Sequence, residues 1–227
     1  MKQLLILLLL VSASVGSYAQ KISEGVIKME LTDVKSDDPS VASQMAMMKG
    51  STNDIYFSKD QQKVSMSMMG GMMNMMVFTT PATKETKLFM DMMGNKFQVK
   101  TPMEEPGKAE DEMDIKMTDE TKEIKGYKCK KVIMTPKKSA TNGQDMTITV
   151  YVTDRIDMTG PFTPQMKGAT KLKGAPLEMS IQTGGVSMVY TCKSVETSLP
   201  KDSFKEPKGY KEMSKEEYEK MMSGFGM

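Results

Sequence analysis

The 227-residue sequence contains no histidine and no tryptophan, and it has only two cysteines. Without an imidazole, neither the usual zinc ligand sets nor a Ser-His-Asp or Cys-His pair can be assembled. The sequence also lacks a phosphate-binding glycine loop and a dinucleotide-binding fingerprint. Its net charge of +2 provides no basic footprint for nucleic acid. We therefore expect no catalytic residue and no cofactor, so the protein is not expected to be an enzyme.

The first residues have the features of a secretory signal. Lys2 is positive, the run Leu4–Val11 is apolar, and Ser17–Ala19 is a small-x-small cleavage site. The apolar run is shorter than the roughly 20 residues that a membrane-spanning helix needs. We expect a signal peptide at 1–19 and a single domain at 20–227. The signal contains no cysteine for a lipid anchor, so the expected location is the periplasm or the exterior, without a transmembrane segment.

Methionine is abundant, with 28 residues, and seven of them lie in VSMSMMGGMMNMMVF, from Val64 to Phe78. A Gly70-Gly71 pair is typical of the type I′ turn of a β-hairpin. Such a turn opposes Met68 to Met73, Met66 to Met75 and Val64 to Val77. Because side chains alternate between the faces of a strand, this set forms one apolar face.

Two further turn pairs, one Gly-Asn and one Gly-Gly, predict hairpins of the same kind. A turn at Gly94-Asn95 opposes Met92 to Phe97 and Met90 to Val99. A turn at Gly184-Gly185 opposes Ile181 to Met188, Met179 to Tyr190 and Leu177 to Cys192. Single strands with alternating apolar residues are predicted at 27–31, 146–153 and 126–134, the last with less regular alternation.

Only two helices are predicted. Asp38-Pro39 is an N-cap and first-turn pair that begins a short helix ending before Gly50. Ser214 and Glu217 form a capping box that makes the tail from about 214 helical. Two short helices cannot cover the apolar face of eight or nine strands. The expected fold is mainly β (α+β), a curved antiparallel sheet forming a half-barrel with a short plug helix and a C-terminal helix.

At this point the sequence resembles a known family. Ile124, Gly126, Tyr127 and Cys129 match an Ile-x-Gly-Tyr-x-Cys strand, and ITVYVTDRI matches an aromatic-x-Thr strand in which relatives often carry Trp. The chain is similar over nearly its whole mature length to a secreted bacterial domain of unknown function, the 4412 type, of the LolA/LolB-like superfamily. The resemblance implies a LolA-like incomplete barrel plugged by helices. LolA itself carries acyl chains in that interior.

The methionines allow three interpretations. They can pack a core, because methionine fills irregular gaps, or they can form a pliable surface for a lipid or other apolar ligand. The candidate cavity residues for that ligand lie on the predicted apolar face: Met66, Met68, Met73, Met75, Met90 and Met92. The third interpretation is Cu(I) capture by thioethers on the opposite face, with Met69, Met72 and Met76 as exposed ligands. Binding of an apolar ligand is the leading hypothesis; a Cu(I)-binding envelope protein and a purely structural or interaction module are the alternatives.

The two cysteines are a candidate disulfide. Export favours a bridge where the geometry permits it. Cys192 falls on the apolar face of its predicted hairpin, and Cys129 lies on a strand that could neighbour it. The alternative is a pair of buried thiols.

Overall fold

The computed structural model describes residues 21–83, 85–102, 113–138, 143–158, 172 and 174–224. The predicted signal peptide lies outside this part of the chain. The strands are, in chain order, β1 (Gly25–Ser36), β2 (Thr52–Phe57), β3 (Gln62–Met68), β4 (Met73–Thr80), β5 (Glu85–Met92), β6 (Asn95–Pro102), β7 (Met113–Ile124), β8 (Tyr127–Pro136), β9 (Met146–Thr153), β10 (Ala175–Thr183), β11 (Val186–Glu196) and β12 (Lys211–Glu212). The helices are α1 (Pro39–Ala46) and α2 (Lys215–Gly224).

All twelve strands belong to one sheet, in the order β12-β6-β5-β4-β3-β2-β1-β11-β10-β9-β8-β7. Every neighbouring pair is antiparallel except β12 with β6. Because β12 and β7 stand at opposite ends of this order, the sheet is open. The mainly antiparallel fold class expected from the sequence is confirmed.

Three of these strands were not predicted. β7 reads MDIKMTDETKEI and is polar along most of its length, as suits an edge strand that must not pair with other chains. β2 reads TNDIYF, where the buried side of the strand begins with an asparagine. β12 has two residues, too few for any periodicity. Apolar alternation therefore detected the well-buried strands and missed the polar and short ones.

The first predicted hairpin has the predicted register. Met68 opposes Met73, Met66 opposes Met75 and Val64 opposes Val77. Gly70 and Gly71 have φ of 66° and 92°, the left-handed values that a type I′ turn requires at both central positions. Here the two glycines are needed because other residues adopt this backbone only with strain.

The second hairpin turns one residue earlier than predicted. Its central residues are Met93 and Gly94, so that Met92 opposes Asn95 and Met90 opposes Phe97. The Asp91 carboxylate accepts a hydrogen bond of 2.9 Å from the Gly94 N–H, which stabilises the turn at this position. The observed pairing differs from the predicted pairing by two residues, so every side chain stays on its predicted face. In the third hairpin, the pairs Ile181–Met188 and Met179–Tyr190 are confirmed.

Both helices begin at the predicted caps. The Asp38 carboxylate accepts from the Ser40 N–H, and Ser214 and Glu217 exchange the two hydrogen bonds of a capping box. Helix α1, however, has no buried residue and lies against β1. Helix α1 therefore does not act as the plug expected from the sequence, because it is too short and too exposed to fill the interior. In α2, Tyr218 and Met221 pack half-buried against the core.

The core is formed by one face of the sheet. Its buried side chains come from β1 to β11 and from Ile156, Met158 and Leu172, which follow β9. They form one cluster, whose members on distant strands include Met90, Phe97, Val132 and Cys192. At one end, Lys122 of β7 forms a 2.7 Å ion pair with Glu178 of β10, three positions away in the strand order. Because the described helical residues supply no fully buried side chain to this cluster, the sheet curves and covers its own apolar face. We call this face the concave face.

The opposite, convex face is covered in part by the chain that follows β11. Tyr210 packs edge-on against Phe89 with 5.3 Å between ring centroids, and Phe78 packs edge-on against Phe89 at 5.4 Å. Glu206 forms a 2.8 Å ion pair with Lys87 on β5. Phe89 is thereby only 1% exposed, although its side chain points away from the core.

We predict that this aromatic contact is a large part of the stability of the convex face. Phe89→Ala should lower the free energy of unfolding by about 3–5 kcal/mol, because it removes a buried ring and leaves a cavity. The control is Met93→Ala at an 81% exposed turn position, expected within about 0.5 kcal/mol of wild type. Urea denaturation followed by circular dichroism measures both. Equal stabilities of the two variants would show that the C-terminal segment does not pack on β5.

Candidate ligand-binding interior

The six methionines of the predicted cavity lie side by side on the concave face. Two cross-strand rows contain them, because β3, β4 and β5 are consecutive neighbours in the sheet. The first row is Met66, Met75 and Met90, and the second row is Met68, Met73 and Met92. Side chains opposed in this way lie about 4.5–5.5 Å apart at Cβ and therefore touch. The structure thus brings together all six residues.

Burial decreases along these strands from the middle of the sheet to the hairpin turns. Val64 and Val77 are buried, as are Met75 and Met90, whereas Met66 is half-buried. The row nearest the turns, Met68, Met73 and Met92, is half-buried throughout. The interior is therefore solid in the middle and open to solvent at the turn end.

The other half of the sheet has the same open end. Leu31 of β1 opposes Tyr190 of β11, which in turn opposes Met179 of β10. Beyond this level, Ile181 and Met146 lie on β10 and β9 toward the same end. Half-buried apolar side chains thus line the turn end in both halves of the sheet; we call them the rim, namely Met66, Met68, Met73, Met92, Met146, Ile181 and Tyr190.

Two grooves in the described part of the molecule lie elsewhere. One, of about 440 Å³, lies between the β5–β6 turn and the segment Gly209–Met213, with Phe97 and Glu217 in its walls. The other, of about 110 Å³, lies between β3–β5 and Phe204. Neither groove contains the six methionines, so a ligand at the rim would need these flexible side chains to rotate apart.

The three candidate Cu(I) ligands are not brought together. Met69 and Met72 flank the Gly70-Gly71 turn, and Met72 is 51% exposed. Met76 lies on the convex face opposite Phe89, roughly 10 Å farther along β4 than Met73 at about 3.3 Å per residue. It is half-buried rather than exposed. Copper binding stays a prediction, and the geometry offers it a pair of adjacent thioethers rather than three.

Both cysteines are buried in the core, and the structure has them as free thiols. Cys192 lies beside Met29 of β1, and Cys129 lies near the tip of the β7–β8 hairpin. A register irregularity between Met117 and Thr121 separates that tip from the rest of the hairpin. Bulges re-aim the side chains beyond them, and here the tip places Cys129 in the core. The disulfide stays a prediction.

The surroundings of the thiols make them unreactive. Burial, together with a smaller contribution from the nearby Cys192 thiol, raises the pKa of Cys129 to about 11. Burial likewise raises the pKa of Cys192 to about 11. Each Sγ donates a 3.4 Å hydrogen bond to a backbone carbonyl, of Tyr127 and Ser194 respectively. A thiol is nucleophilic only as its thiolate, so these groups are structural in this form.

A cluster of polar side chains lies on the convex face near the β7–β8 hairpin. Tyr151 donates a hydrogen bond to the Glu120 carboxylate, and that bond raises the pKa of Tyr151 to about 12. Lys131 also donates to Glu120, and its bond is the largest cause of the lowered pKa of that carboxyl. Tyr151, the aromatic residue of the motif shared with the resembled family, therefore links β9 to β7. Among the described residues, no group of three or more His, Cys, Asp or Glu could hold a metal ion.

Sequence reasoning missed the part of the interior contributed by β2. Asn53 lies on the concave face between Met29 of β1 and Met66 of β3, and it is 2% exposed. The only signal was the alternation of Asn53, Ile55 and Phe57 in TNDIYF, and the asparagine at its start disguised the strand.

We predict slow, matched labelling of the two cysteines. A rise in pKa from 9.0 to about 11 lowers the thiolate fraction about 100-fold at neutral pH. Ellman's reagent at pH 7.5 should therefore react slowly with the folded protein. In urea without reductant, it should detect two reactive thiols per chain. If the urea-unfolded protein yields thiols only after reduction, Cys129 and Cys192 are bridged.

No family model and no curated protein matches the sequence. The fold is similar to solved structures at 10% identity, among them the lipoprotein LppX of Mycobacterium tuberculosis, with a TM-score of 0.35 over 78% of this chain and 89% of that one. LprF from Mycobacterium bovis has a TM-score of 0.34 over 78% and 88%. A DUF1329 family protein from Desulfovibrio piger has a TM-score of 0.36 over 81% and 90%. Membership of the 4412-type family stays a prediction, because no family model confirms it.

Proposed function

We propose that this protein binds a lipid or another apolar ligand at the concave face of its sheet, in the cell envelope and without catalysing a reaction. The observation that carries the proposal is the rim. Its half-buried side chains, Met68, Met73 and Met92 on one half of the sheet and Ile181 and Tyr190 on the other, continue the buried core toward solvent. A ligand that covered them would remove further apolar area from water, which is favourable at about 25 cal/mol per Å².

The chemistry of the rim favours a flexible apolar ligand. Methionine has three rotatable bonds and a polarisable sulfur, so a methionine surface can repack around ligands of different shape. Met66 and Met68 on β3 face Met75 and Met73 on β4, and none of these four side chains carries a charge. An acyl chain is the type of ligand that such a surface accommodates.

The two helices of the described part of the chain lie against β1 and β6. Helix α1 has no buried residue, and α2 packs at the β6 side of the sheet through Tyr218 and Met221. No helix in the described part of the chain is long and apolar enough to span a membrane. The expected export signal at 1–19 is consistent with a role in the envelope, where lipids are both the surroundings and the cargo.

The direct test begins with the ligand itself. Protein purified natively from the periplasm is extracted and analysed by mass spectrometry for lipids and metals together. The delipidated protein is then titrated with diphenylhexatriene, a fluorescent hydrocarbon, and with a fluorescent fatty acid. Co-purifying lipid with saturable binding supports the proposal. If the purified protein contains no lipid and binds neither probe, its role is that of a structural or interaction module instead. Copper present in stoichiometric amount would favour the Cu(I) alternative.

We predict that a charge in the rim weakens binding of the fluorescent probe. Met68→Lys should weaken diphenylhexatriene binding at least tenfold, because an ammonium must lose water to contact an apolar ligand. The matched control is Met93→Lys, which places the same charge at an 81% exposed position of a neighbouring turn and should leave affinity unchanged. Both variants should stay folded by circular dichroism, since Met68 is only half-buried. Equal losses in both variants would rule out the rim as the binding surface.

A further inference from the structure

Asn53 is a polar residue in an apolar row. On the concave face it stands between Met29 of β1 and Met66 of β3, in the row that continues through Met75 to Met90. Its side chain is 2% exposed, and Met29 beside it is 1% exposed. This is the one position in that row whose side chain can form strong hydrogen bonds.

The Asn53 Oδ1 is buried and has no hydrogen-bond partner within the described part of the protein. Its neighbours explain why. The thioethers of Met29 and Met66 have no hydrogen to donate, and Ile55, the next concave residue on β2, is apolar. Ser51, the preceding one, donates its hydroxyl to the Met48 carbonyl at 2.5 Å. A buried acceptor left unpaired lowers stability, and such groups in native proteins call for an explanation.

We propose that Asn53 Oδ1 accepts a hydrogen bond from the bound ligand and so selects apolar ligands that carry an uncharged donor, a hydroxyl or an amide N–H. This inference rests on the proposed binding of an apolar ligand at the concave face. It adds the chemical class of the ligand: a neutral amphiphile such as a long-chain alcohol, an acylglycerol or an N-acyl amide.

The chemistry of the row favours a neutral donor over a charged head group. A carboxylate has no hydrogen to give to Oδ1, and its charge would lose its hydration among Met29, Met66 and Met75. A hydroxyl or amide forms one hydrogen bond with Oδ1 and places its hydrocarbon chain against the methionines. In a site of this polarity, one polar group supplies specificity and the apolar wall supplies affinity.

The rim provides the path to Asn53. Met66, its cross-strand neighbour, is half-buried, and Met68 follows it toward the open end. Rotation of these two flexible side chains would expose the row without moving the backbone.

The test compares two ligands in which the same oxygen carries either a hydrogen or a methyl group. Dodecan-1-ol carries a donor, and its methyl ether has a similar chain and no donor. Each displaces diphenylhexatriene from the wild-type protein, from Asn53→Leu, and from the control Gln182→Leu. Leucine has the branched shape of asparagine without its polar atoms, and Gln182→Leu removes an exposed amide from the convex face of β10 while keeping the Asn53 acceptor. Thermal unfolding of all three ligand-free proteins is measured in parallel.

We expect wild type and Gln182→Leu to bind the alcohol about tenfold more tightly than the ether, and Asn53→Leu to bind both equally. Asn53→Leu should also unfold at a higher temperature than wild type, because it removes an unpaired buried acceptor. An unchanged preference in Asn53→Leu overturns the inference. So does a destabilised or unfolded Asn53→Leu, which would mean that the amide has a structural partner such as a buried water. If wild type binds the probe and shows no preference, this inference fails while apolar binding stands; if it binds no probe, the proposed function itself fails.

Discussion

A sheet with one apolar face must hide that face from water, and the described part of this chain has only two short helices with which to do it. The sheet therefore curves until its own strands cover one another. Side chains as distant in the strand order as Phe97 on β6 and Val132 on β8 join one core, and an ion pair links β7 to β10. Every other feature depends on this curvature, because it decides which concave residues are sealed and which remain at the open end.

The same residue type serves both the sealed and the open part of that interior. Met90 is buried as a leucine would be, whereas Met68 and Met92 in the adjacent row are half in water. A flexible side chain tolerates both environments, so a continuous methionine surface can run from core to rim without a gap in packing. Asn53 interrupts this surface with one buried acceptor. Its Oδ1 has no hydrogen-bond partner among the described residues, and an unpaired buried acceptor lowers stability.

Hairpin chemistry made much of the fold predictable. Paired glycines with alternating apolar flanks predicted two registers correctly, and a third was displaced by two residues because Asp91 stabilises a turn at Met93-Gly94. The side-chain faces survived even that error, since a shift of two preserves alternation. The strands that were not predicted, β2, β7 and β12, are polar or short. Helix α1 was predicted correctly, but it does not plug the interior, because tertiary packing and not capping decides what a helix covers.

The sequence by itself determined local pairing: which residues turn, which strands oppose one another, and which side chains share a face. Those properties depend on neighbours in the chain and on the twofold alternation of a strand. Only the tertiary structure decided how deeply each side chain is buried, because burial depends on strands that are distant in sequence. It half-buried Met76 beside Phe89 on the convex face, left Met68 and Met73 at the rim, and enclosed Asn53 between two methionines that cannot donate a hydrogen bond.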